Sequence, residues 1–150
     1  MAPRFLGGGK VLVRVVEVEE NGNPKYITHL TTDAKFLHKT TPGKHIYAVS
    51  DGGNFLEADL EAGKTYYAYV LASFGVLRQQ FILVPATAAD FSLEEFQKAF
   101  AKCDWYENNP EWDGSRFHGI DKRIIEQYSA LKPEDKVLML PEYGTDTPLQ

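Results

Sequence analysis

An intrachain disulfide is closed to this chain, because its 150 residues include one cysteine, Cys103. A single thiol forms no intrachain bridge, so the fold is not a disulfide framework. No Lys–His arrangement adjoins Cys103 to lower its pKa, and it reads as a buried structural thiol. No apolar run approaches the roughly 20 residues of a membrane-spanning helix. Clustered basic residues are missing too: the longest basic run is Lys122-Arg123 and the net charge is −5. That argues against a nucleic-acid partner, since phosphate contacts need grouped Lys and Arg. The acidity is local. Residues 1–88 hold nine Lys/Arg against eight Asp/Glu, whereas 89–150 hold seven against thirteen.

Catalytic signatures are equally scarce. There is no Walker loop, no G-x-G-x-x-G and no G-x-S-x-G elbow. Gly7-Gly8-Gly9-Lys10 precedes the first strand pattern instead of following one, so it is no phosphate cradle. The four histidines, His29, His38, His45 and His118, show neither HxH nor HExxH spacing, and no metal ligand, cofactor or catalytic residue is assigned. The N-terminus, Met1 to Gly9, has no apolar h-region and no lipidation motif. On that reading the chain stays in the cytoplasm unless a secretion signal has been removed, and residues 1–9 form a flexible lead-in.

What is present begins with strands. Residues 10–20 are valine-rich and β-branched, Asn21 to Pro24 is a turn, and Tyr26 to Leu30 returns as a hairpin partner. A short apolar segment at 34–38 closes at Thr41-Pro42-Gly43, followed by a strand from His45 to Val49. From Asn54 to Glu61 the alternation puts Leu56, Ala58 and Leu60 on one face and Glu57, Asp59 and Glu61 on the other. One face is expected to be buried and one wet. Thr65 to Ala72 and Gln80 to Pro85 complete about seven strands, the pattern of a β-sandwich or barrel.

The period then changes to helical. Ser92 and Glu95 are spaced as a capping box, with Phe91 and Phe96 at the staple positions. Phe96, Phe100 and Cys103 share a helix face. Asp121 is expected to cap a second helix carrying Ile120, Ile124, Tyr128 and Leu131, which Lys132-Pro133 stops. Val137 to Leu140 reads as an edge strand and 141–150 as a frayed tail. Both helices have an apolar stripe, so they are expected to pack on the sheets within one domain spanning 1–150.

Three segments carry a family resemblance: Thr41-Pro42-Gly43-Lys44-His45, Leu56 to Tyr67 with its Ala62-Gly63-Lys64-Thr65-Tyr66-Tyr67 turn, and Phe81 to Pro85. They resemble the bacterial domain-of-unknown-function 2846 family, whose members share a "PGKH" turn and an "L-x-AGKTYY" turn-strand. The match spans roughly residues 10–88. It implies an immunoglobulin-like antiparallel β-sandwich at 10–88, a helical extension at 89–140 lying outside the match, and a place in the bacterial cell envelope, where many members look like lipoproteins. It carries over no activity and no catalytic residue.

The segment richest in chemistry is 104–118, which holds both tryptophans among carboxylates and amides. Trp105, Tyr106, Glu107, Trp112, Asp113 and His118 are the candidate ligand-binding residues. Flat indoles beside Asp and Asn suit a carbohydrate, by stacking and hydroxyl pairing; the alternative is a brace anchored by the two indoles. Asn109-x-Glu111-x-Asp113-Gly114 resembles the start of a calcium loop, but the twelfth position is Ile120 and Pro110 interrupts it. The leading expectation is a non-enzymatic binding or structural module of the cell envelope, with a carbohydrate or another envelope protein as partner. Two alternatives stand beside it: a small hydrolase using Glu107 with Asp113, and a cytoplasmic interaction domain.

Overall fold

The computed structural model describes residues 13–31, 33–49, 54–74, 79–108 and 118–146, and is mainly β with three helices. Strand β1 (Val13–Val18) pairs antiparallel with β2 (Pro24–Leu30) across a turn in which Gly22 adopts φ +84°. Glycine tolerates that left-handed backbone at no steric cost. Strands β4 (Gly43–Val49) and β5 (Phe55–Leu60) extend the antiparallel ladder, and the short β9 (Val137–Met139) adds to it in parallel. The sheet order is β2-β1-β4-β5-β9. A second pair, β6 (Ala68–Phe74) with β7 (Gln79–Pro85), is an antiparallel hairpin. A third pairs the two-residue β3 (Ala34–Lys35) in parallel with β8 (Asp104–Trp105).

Period-2 alternation sends β1 into two interiors. Val13 and Val15 join Val49, Leu56, Ala58 and Met139 on one face, where Val70, Phe81 and Leu83 of the hairpin meet them. Val16 and Val18 join Ala48 and Phe55 on the opposite face, where Ile124 covers them. The face of β5 expected to be wet is therefore partly covered: Phe55 lies under helix α3 (His118–Ser129), and Glu57 accepts from Lys136 at 2.9 Å. Asn54 ties the hairpin to the sheet, donating to the Leu83 carbonyl at 2.7 Å and accepting the Leu83 amide at 2.8 Å.

The helix ends differ from their sequence reading. The capping residue is Thr87, whose amide donates to Asp90 at 2.8 Å at the start of the one-turn α1 (Ala88–Phe91). Ser92 instead donates to the Ala89 carbonyl at 2.7 Å, so α2 (Glu94–Lys102) begins after Leu93 without a side-chain cap. Phe91 still packs edge-on against Phe96, with centroids 5.6 Å apart. Asp121 is not a cap: α3 starts at His118, and Asp121 turns from its first turn to pair with Arg14, which is 2% exposed. A guanidinium at that depth needs a carboxylate.

The expected frayed tail is pinned as far as residue 146. Thr145 exchanges backbone hydrogen bonds with Thr65, and Tyr66 donates to the Pro141 carbonyl at 3.0 Å. Gly144 passes so close to Tyr66 that a β-carbon there would lie 2.7 Å from the phenol ring. These tail contacts hold Thr65 and Tyr66, and β6 begins at Ala68 rather than Thr65. Replacing Asp121 with alanine is expected to destabilise by about 3 kcal/mol, the low end for breaking a buried ion pair, because Asp121 keeps some contact with water. Urea unfolding checks it. Arg14→Met combined with Asp121→Leu should recover most of the loss, and a double variant as unstable as Asp121→Ala would contradict the stranded-charge account.

Candidate functional site

Five strands at about 4.8 Å spacing offer a face about 19 Å across between outer axes, and a two-stranded hairpin matches only about 5 Å of it. Strand β7 makes its main cross-sheet contacts with β4, β5 and β9, while Val13 and Val15 of β1 meet the hairpin through the shared apolar cluster. Helix α2 packs Phe96 and Phe100 edge-on against Tyr69 and Tyr67, and its residues, the segment 34–42 and the sheet together line a cavity of about 780 Å³. Small-molecule sites typically enclose about 300–1,000 Å³. Its floor is Val13, Val15, Leu56 and Ala58, its hairpin wall Val70 and Leu83, and its helical wall Phe96, Phe100 and Cys103. Burial pushes the Cys103 thiol up, with Asp33 adding to the effect, which suits a wall residue rather than a nucleophile.

The rim is built at the β3–β8 junction. The Tyr106 amide donates to the Lys35 carbonyl at 2.8 Å and the Asp104 amide to Asp33 at 2.8 Å, fixing Trp105 beside Lys35. Trp105 is 59% exposed and stands edge-on to Phe100, with centroids 6.3 Å apart. The Lys35 ammonium donates at 3.0 Å to the Phe100 carbonyl in the last turn of α2, which also accepts the capping amide of Cys103 at 3.2 Å. It also lies 4.1 Å from the Phe100 ring centroid and 4.8 Å from that of Trp105. Such cation–aromatic contacts favour a lysine held against ring faces.

Beyond the rim the chain turns inward. The Tyr106 hydroxyl lies 2.7 Å from His29 Nε2, and Tyr26 approaches His29 Nδ1 at 2.7 Å. A neutral imidazole suits this setting, donating to one phenol and accepting from the other. Burial lowers the His29 pKa below its ordinary 6.5, and burial, helped by Tyr106, pushes Tyr26 up to about 12. At the β1–β2 register shift, Asn108 donates to the Ile27 carbonyl and accepts from the Thr28 hydroxyl, each at 2.7 Å.

The "PGKH" turn is structural in the same sense. Gly43 has φ +114°, and His45 Nε2 donates back to the Thr41 carbonyl at 2.8 Å. Beside it, Tyr47 lies between His45 and His38, and burial followed by Glu17 raises its pKa.

The sequence-chosen residues divide accordingly. Trp105 lines the cavity, whereas Tyr106 is turned to His29. Glu107 is exposed on a second depression of about 360 Å³ that shares Phe36, Leu37 and Trp105. Trp112 and Asp113, with the calcium-like stretch 109–117, lie outside the described residues, as does the side chain of His118. Among the described residues no group of three or more His, Cys, Asp or Glu is placed to hold a metal. Sequence reasoning missed Lys35 and Phe100 as rim residues. The signal available was a lysine inside the apolar run Ala34-Lys35-Phe36-Leu37.

A histidine whose pKa is lowered on folding contributes stability above its unfolded value of about 6.5, and that stability falls away as pH drops toward the folded value. Unfolding midpoints measured between pH 7.5 and 5 should therefore decline with acidification. The decline should be smaller in His29→Gln; an identical decline in the variant would remove His29 as its source.

No family model, no curated protein and no solved structure matches this chain.

Proposed function

We propose that this protein is a non-enzymatic binding module that takes a small, mainly apolar molecule into the cavity between its sheet and α2. The observation that carries this reading is the cavity itself: about 780 Å³, walled by aliphatic and aromatic side chains, with its rim at Trp105. Several polar groups on the lining already have protein partners, which favours holding a ligand over transforming one. Thr28 is bonded to Asn108, Tyr66 to Glu61 and Pro141, and Lys64 to Asp146. The sheet and the hairpin, facing each other across one apolar interior, support reading the fold as a β-sandwich. Its immunoglobulin-like character and its place in the bacterial envelope rest on the resemblance of residues 42–67.

A second reading is favoured by the exposed indole of Trp105 beside Glu107. There the ligand is a carbohydrate stacked on the outer depression, as flat aromatic faces allow.

Thermal unfolding with decanol, dodecanol and an oligosaccharide panel separates the two. A ligand at a hundred times its Kd adds about 2.7 kcal/mol, or about 5–10 °C in Tm for a domain of this size. The alcohols are expected to give that shift. Val15→Phe, which projects a ring into the cavity from its half-buried floor, should abolish the shift while leaving the unliganded Tm within a few degrees. A shift with oligosaccharides alone, lost in Trp105→Ala, would overturn the cavity reading in favour of the rim.

A further inference from the structure

Resting on the cavity reading, we infer that the ligand is a single-chain amphiphile with a carboxylate head, its chain inside the cavity and its head on the Lys35 ammonium. Lys35 is half-buried and lines the cavity together with Phe100 and Trp105. An ammonium carries three donors. One goes to the Phe100 carbonyl, and the two neighbouring rings offer faces rather than oxygen acceptors. Among the described residues Lys35 makes no ion pair, whereas Lys102 meets Asp33 at 3.6 Å and Lys64 meets Asp146 at 2.6 Å. Lys39, also on the cavity lining, is exposed where Lys35 is half-buried. A positive charge is thus held by a helix end and two rings at the lip of an apolar chamber. Half-desolvated charges gain most from an opposite charge that brings hydrogen-bond acceptors. A carboxylate arriving with an alkyl chain supplies both, and its chain meets Val13, Val15, Leu56 and Val70.

The net charge of −5 makes the inference sharper, because general electrostatics would favour a cationic amphiphile over an anionic one. Preference for the anion can then be traced to a local group.

Calorimetric titration of the full chain at pH 8, below micelle-forming concentrations, compares dodecanoate, dodecanol and dodecyltrimethylammonium. Dodecanoate is expected to bind about tenfold more tightly than dodecanol, with the ammonium weakest. Lys35→Met should erase the tenfold preference of dodecanoate over dodecanol, and Lys35→Arg should keep it. Equal binding of dodecanoate and dodecanol by the wild-type chain overturns the head-group inference but leaves the cavity reading standing. So does a preference that survives in Lys35→Met. Failure of all three to bind overturns the cavity reading itself. Should Lys35→Met not fold, the wild-type comparison and the Lys35→Arg titration still decide.

Discussion

The constraint that organises this molecule is a five-stranded sheet with apolar side chains on both faces and covers of unequal width. Helix α3 fills its side, setting Ile124 among Val16, Val18, Ala48 and Phe55. The other side receives a two-stranded hairpin, whose β7 makes its main contacts with β4, β5 and β9. The rest of that interior is lined by the irregular segment 34–42 and the nine-residue α2, and the cavity lies among these elements and the sheet.

Short elements then acquire positional importance. Strands β3 and β8 are two residues each, yet their parallel register sets Lys35 beside Trp105 and brings both to the end of α2. The same side chain closes a helix terminus and places a charge at the opening of an apolar space. One nitrogen thus joins the end of α2, two aromatic rings and the cavity lining.

Much of the fold was legible in the sequence, where local physics decides. The valine-rich β1, the alternation in β5 and the glycine at the Gly43 turn all occur where periodicity and turn chemistry place them. The stripe Phe96, Phe100 and Cys103 does face one interior. The misreadings have tertiary causes. Ser92 matches the capping-box spacing, but Thr87 and Asp90 form the cap one turn earlier. Asp121 looks like a helix cap until a buried arginine on a strand far away in sequence claims it. The tail was unreadable because what fixes it is an approach between Gly144 and Tyr66 that no local pattern announces. Of the site, Trp105 was legible as an aromatic among polar neighbours. The cavity behind it was not, since a void is a property of layers and leaves no motif.

The carboxamide of Asn108 has a consequence beyond the hydrogen bonds it completes. Strand β2 forms one border of the sheet, and a border strand ordinarily presents a row of open amides and carbonyls on which another chain can build. Here the ladder is interrupted by a register shift, and Asn108 occupies the Ile27 carbonyl from outside. The opposite border, β9, is only three residues long. Among the described residues, neither border of the five-stranded sheet therefore presents a long regular run of open amides and carbonyls.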